Sequence, residues 1–257
     1  MAWALYGALQ GLVFTGIWVI GHDCGHNNFS TNSTVSDTIG FLLHSFLLTP
    51  YFSWQSTHRR HHIYANHIEL DHNYVPMEKE NYSKSVGGQL REATEDAPIY
   101  VLARMLVQQI SGFPMYLLLN TTASDHSLPE GKKPSRIPLA NSHFTPFGTL
   151  FRKEETAWIF ASDFGVLAAG WLLYQASQLI GVNTVLLLYL QPYLWLNHWI
   201  VAITFLHHTH PSLPKYNADS WTFIKGATAT IDRELGWIGK HFFHNIVEYH
   251  VIHHLFS

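Results

Sequence analysis

Residues 157–206 read AWIFASDFGVLAAGWLLYQASQLIGVNTVLLLYLQPYLWLNHWIVAITFL, and Asp163 is the one fixed charge among them. The run divides at Gly181-Val182-Asn183 into 157–180 and 184–206. Each arm, as a helix, is long enough to cross about 30 Å of hydrocarbon. The pattern predicts a helical hairpin through a membrane, with Pro192 kinking its second arm. Residues 3–21 (WALYGALQGLVFTGIWVIG) carry no charge and span about 28 Å as a helix. They lack a basic leader and a small-residue cleavage site, so they read as a third span and not as a signal peptide. The expected fold is an all-α membrane protein: one domain over 1–257, with a transmembrane bundle at 3–21, 157–180 and 184–206.

The mean hydropathy of +0.02 averages these apolar runs with polar segments that hold the charge. Fifteen Lys and Arg stand against 18 Asp and Glu, for a net charge of -3, which excludes a basic nucleic-acid surface. Every Lys and Arg falls in 59–153 or 215–240, and the hairpin turn has none. The positive-inside rule therefore places both polar regions in the cytosol and the turn on the far side.

Three histidine clusters lie outside the apolar runs: His22-Asp23-Cys24-Gly25-His26, His58-Arg59-Arg60-His61-His62 and His250-Val251-Ile252-His253-His254. Offsets of three and four put side chains on one helical face, about 5–6 Å apart at Cβ. Imidazoles so spaced suit a transition metal, and eight are too many for one tetrahedral ion and suit two. A zinc hydrolase fits less well, because Asp23 stands where an H-E-x-x-H site needs its general-base Glu and because catalytic zinc uses three protein ligands. Cys24, the one cysteine, excludes an internal disulfide and reads as a small packed residue. Two irons can activate dioxygen, and at a membrane surface the abundant substrate for such an oxidant is an acyl chain.

The clusters can meet only if nothing between them crosses the membrane. Residues 39–53 (IGFLLHSFLLTPYFS) are short for a span and end near Pro50, which predicts a re-entrant or interfacial helix. Residues 99–119 carry Arg104, Gln108 and Gln109 and are broken by Pro114, which predicts an interfacial amphipathic helix. The polar parts, 22–156 and 207–257, would form a cytosolic helical cap. His207-His208-Thr209-His210 follows the last span and offers a ninth ligand. Glu69, Asp71, Glu234 and Glu248 lie near the clusters as carboxylates able to orient ligand imidazoles. His44, His67, His72, His126, His143, His198 and His241 share no such spacing and read as structural. Trp54 and Tyr51, beside the second cluster, are expected to line an acyl channel.

The stretches GIWVIGHDCGHNNFS, HSFLLTPYFSWQSTHRRHH, FLHHTHPSLPKY, WTFIKGATATIDRELG and HVIHHLFS resemble the membrane-bound acyl-lipid desaturases, especially the Δ12 oleate desaturases of plants and fungi. The resemblance runs over nearly the whole chain. It implies a non-haem di-iron centre held by three histidine boxes: His22 and His26; His58, His61 and His62; His250, His253 and His254. His208 is implied as the further ligand. It implies oxygen-dependent conversion of a phospholipid oleoyl chain to linoleoyl, with O2 reduced to water. Electrons would come from cytochrome b5 and its NADH-dependent reductase at the endoplasmic reticulum membrane, and the oligomeric state, homo- or hetero-, stays open. Relatives carry more chain before the first box and after the third, so the resemblance also implies a chain truncated at both ends. An omega-3 desaturase, a hydroxylase or a conjugase on the same scaffold remains open, as does a truncated metal-binding membrane protein without activity.

Overall fold

The computed structural model describes residues 1–76, 79–124, 126–133, 135 and 137–257. Its helices are α1 (Ala2–Gly25), α2 (Ser33–Phe46), α3 (Tyr51–Ile63), α4 (Lys79–Lys84), α5 (Val86–Thr94), α6 (Pro98–Leu119), α7 (Thr156–Ile180), α8 (Val182–Val185), α9 (Gln191–His208), α10 (Phe223–Thr228), α11 (Gly236–His241) and α12 (His250–Phe256). The pairing nearest to a strand among the described residues is an isolated bridge, His67 to Tyr216. Three helical stretches are long and apolar enough to cross a membrane: Ala2–Gly25, Lys153–Ile180 and Val182–His208. They coincide with the spans expected from the sequence.

α1 and α9 run side by side in the same direction, and glycine makes the close approach possible. A Cβ on Gly11 would lie 2.2 Å from Cβ of Trp195, and one on Gly7 would lie 2.5 Å from the Gln191 side chain. Pro192, expected to kink its arm, stands beside an irregular turn. A π turn, Leu186–Leu190, stands just ahead of it, and Pro192 itself enters the first turn of α9. Proline has no N–H to donate to the turn before it. Within that turn the Leu188 carbonyl accepts the Tyr6 hydroxyl of α1 at 3.2 Å.

The 39–53 segment forms the base of a half-length hairpin. Asn32 caps α2 by accepting from Thr34 N–H. α2 then runs antiparallel to α1, with His44 stacked on Trp18 (5.2 Å between ring centres) and Phe46 edge-on to Phe14 (5.5 Å). Leu48, at φ +54°, turns the chain, and Pro50 leads into α3. α3 climbs back with Trp54 against Trp18 and His58 against His22. Gly21 lets this hairpin sit close, since a Cβ there would meet the His44 ring at 2.3 Å. The hairpin reaches only to the level of Phe14, midway along α1, so the first two clusters end side by side.

Two features depart from the sequence reading. α6 continues through Pro114 without a break. Phe113 and Leu117 are buried on its inner side, while Ile99, Leu102, Leu106 and Val107 are exposed along it. Residues 235–247, expected in the cap, pack partly against α1 and α9. Phe243 and Val247 bury against Leu12 of α1, with Trp199 and Ile203 of α9 packed against them, below the level of the clusters.

Substituting Gly11→Val should force α1 off α9 and cost about 1–3 kcal/mol. Gly170→Val, where an added Cβ meets nothing within 4 Å, should cost far less. Unfolding of the two detergent-solubilised variants against wild type measures the difference.

Candidate metal centre

All nine histidines proposed as ligands converge at the ends of four helices. His22 lies in the last turn of α1 and His26 is its C-cap. His58, His61 and His62 follow one face of α3, and His250, His253 and His254 one face of α12. His208 is the final residue of α9. The imidazoles form two groups. Donor atoms of His22, His26, His58, His62 and His253 all lie within 4.8 Å of one another, as do those of His61, His208 and His254. His250 adjoins the second group, its Nε2 3.0 Å from Nε2 of His208. The groups share a wall where His62 and His254 stack at 4.2 Å.

The donor chemistry fits bound metal. Nε2 of His58 lies 2.9 Å from Nε2 of His22 and 3.1 Å from Nε2 of His62. Two nitrogens held at right angles on one ion, each at a bond length of roughly 2.1 Å, are about 3 Å apart. His26 Nε2, His253 Nε2, His208 Nδ1 and both nitrogens of His254 are buried without a hydrogen-bond partner. Each such orphan costs about 1–3 kcal/mol unless something takes its lone pair. Burial, and then the neighbouring imidazoles, hold His58, His62, His250 and His254 well below the usual histidine range. Burial brings His26 to about 4 and His253 to about 3. These six histidines are therefore held toward the neutral form, which is the form that binds metal.

Of the four carboxylates expected near the ligands, Asp71 alone contacts one. It is fully buried and accepts His61 Nδ1–H at 2.7 Å, Asn66 N–H at 2.8 Å and Asn73 N–H at 2.9 Å. Burial pushes its carboxyl up, but His61, Lys215 and the Asn73 amide outweigh this and hold it below the usual carboxylate range. Glu248 instead turns toward Leu235 N–H, and Glu69 and Glu234 stand exposed past the turns that follow α3 and precede α11. None of these three is hydrogen-bonded to a ligand histidine. The sequence reading passed over Asp23, whose Oδ1 accepts His22 Nδ1–H at 3.0 Å. Adjacent residues on a helix ordinarily diverge, so spacing gave no signal for it.

Histidines outside the clusters are anchored elsewhere: His44 donates to the Trp18 carbonyl, and His143 faces Thr57 Oγ1 and the Leu117 carbonyl. Cys24 is buried outside both groups.

Two cavities flank the centre. One, of about 320 Å³, has walls of Trp18, Trp54, Phe113, Tyr116, Ile200 and Phe205 and reaches His22, His58, His61, His208, His250 and His254. The other, of about 800 Å³, is polar, with Asn27, Gln55, Arg59 and Arg152 around His26 and His58. Trp54 lines both cavities. Tyr51 lines neither and is buried with its hydroxyl on Asp37.

The sequence model of one family, described as fatty acid desaturase, matches residues 1–257. The chain belongs to the fatty acid desaturase family. It is 40% identical to an oleate hydroxylase of Claviceps purpurea, over 99% of this chain and 55% of that protein. It is 40% identical to a Δ12 fatty acid desaturase of Mortierella alpina, over 100% of this chain and 64% of the relative. An endoplasmic reticulum omega-6 fatty acid desaturase of Brassica juncea is 41% identical, over 100% of this chain and 62% of its own length. The chain thus spans between 55% and 64% of these curated relatives.

Low histidine pKa values make a pH test. A group protonated when unfolded but neutral when folded stabilises the fold above its unfolded value, and that stability is lost as pH falls. Metal-free protein should hold this contribution above pH 6.5 and lose it on the way down to about 4, through His26, and about 3, through His253. Unfolding midpoints of chelator-treated protein across that range measure it.

Proposed function

We propose that the chain is the metal-binding portion of an oxygen-dependent acyl-lipid desaturase that introduces the Δ12 double bond, turning oleoyl into linoleoyl. The observation that carries this reading is the opening of an apolar cavity onto six of the nine converging histidines. Two non-haem irons fit the donor set. His22, His26, His58, His62 and His253 would hold one, and His61, His208, His250 and His254 the other. When bound, the irons supply the activation of O2 that cleavage of an unactivated C–H bond needs, since no side-chain acid or base can remove that hydrogen.

The chain's own residues bind and orient. Trp18, Phe113 and Ile200 give an acyl chain an apolar bed along one side of the histidines. The aromatic walls exclude water from the reacting carbons. Asp71 keeps the His61 proton on Nδ1, so Nε2 presents its lone pair. The α2–α3 hairpin is read as re-entrant and α6 as interfacial, with the boxes on the cytosolic face of the endoplasmic reticulum membrane. The distribution of Lys and Arg and the half-length hairpin support this. Cytochrome b5, reduced by its NADH-dependent reductase, would supply electrons.

A second reading, oleate hydroxylation, is favoured by the Claviceps purpurea relative, which shares the same extent of this chain. Lipid gas chromatography of yeast lacking dienoic lipids, expressing the chain within its full-length protein, separates the two. Linoleate is expected, and a hydroxylated C18 product would replace the desaturase reading with the second one. His61→Ala should lower product at least 100-fold, because it takes a nitrogen from one iron. Zinc near one per chain, with no oxygen consumption, would defeat both.

A further inference from the structure

Each histidine group contains one imidazole backed by a carboxylate. In the five-histidine group it is His22, whose Nδ1–H meets Asp23 Oδ1 at 3.0 Å. In the other it is His61, whose Nδ1–H meets Asp71 Oδ1 at 2.7 Å. Among the remaining ligands in the described residues, the Nδ1 partners are neutral: the Ile246 carbonyl for His250 and the Ser257 hydroxyl for His253. We infer that Asp23 is a positioning residue for the first metal site, the counterpart of Asp71 at the second, and that the pair makes the two sites unequal in metal affinity. This rests on the two-metal reading above.

A carboxylate behind an imidazole fixes the tautomer with its proton on Nδ1. It also raises the basicity of the nitrogen that faces the metal. The geometry agrees at both sites. His22 Nε2 points at His58 Nε2, 2.9 Å away, inside the five-histidine group. The ring of His61 faces those of His208 and His254, at 4.8 and 5.0 Å between centres.

The two carboxylates differ in how firmly they are held. Asp71 has 1% of its side chain exposed and accepts three hydrogen bonds, two from backbone amides. Asp23 has 42% exposed and accepts from His22 alone. The Asp71 bond is also the shorter. Asp71 should therefore stiffen His61 more than Asp23 stiffens His22. Loss of a partner of this kind weakens metal binding by about 10–100-fold. Removing Asp23 should fall at the lower end and removing Asp71 at the upper.

The test loads purified full-length protein with Fe(II) under anaerobic conditions and withdraws the iron with graded ferrozine. Wild type should hold two irons and release them in two steps. Asp23→Asn should move one step by about tenfold and leave the other in place. Asp71→Asn should move only the other step, by up to about 100-fold, and the double variant should move both. Asp23→Glu, which retains a carboxylate, should restore the wild-type step. Asp71 also holds two backbone amides, so Asp23→Asn, whose carboxylate holds none, decides the matter by itself. Asp23→Asn that releases iron as wild type does, or that moves both steps equally, overturns the inference and leaves the two-metal reading standing. Wild type that holds fewer than two irons overturns both.

Discussion

Nine imidazoles gathered at the ends of four helices need something to occupy nitrogens that are buried and unpartnered. Water cannot serve them all in so tight a cluster, and protonation of His58, His62, His250 and His254 is opposed by burial and by the neighbouring rings. The rest of the molecule is arranged around that requirement. α1 and α9 end at the same level so that His22, His26 and His208 arrive together. The α2–α3 hairpin is cut to half length so that His58, His61 and His62 return to meet them. α12 closes the arrangement from the far end of the chain.

Much of this could be read from residue types and spacing, because the constraints involved are local. Long uncharged runs have the length and composition of spans, and histidines three and four apart share a helical face. The shortness of 39–53 argued against a crossing, and Pro192 marked its arm as a place for irregular helix. What escaped the sequence depended on tertiary direction. Nothing about Glu69, Glu234 and Glu248 distinguishes them from Asp71 except the turns that carry three of these carboxylates away from the histidines. Asp23 was hidden by its adjacency to His22. Phe113 and Tyr116 become cavity walls only because α6 lies across α9 near Gly112, where an added Cβ would meet Val201 at 2.9 Å. Tyr51 looked like channel lining from its neighbours, yet its ring is turned into the core toward Asp37.

The two cavities give the centre two chemically different faces. An apolar wall suits a chain of methylenes, and a polar one suits water and charge. His58 and Trp54 stand on the boundary between them, so substitution at either position would disturb both at once.

The Tyr6 hydroxyl, bonded to the Leu188 carbonyl at the opposite end of the helix pair from the histidines, acts as a depth gauge. In hydrocarbon a polar group that loses its protein partner has no solvent to turn to. If α9 slid one turn along α1, about 5.4 Å, the Tyr6–Leu188 hydrogen bond would break. The same slide would lift His208 out of line with His22. A single phenol near the start of the chain thus bears on the height at which two helices deliver their ligands, His22 16 residues (about 24 Å) beyond Tyr6 and His208 20 residues (about 30 Å) beyond Leu188.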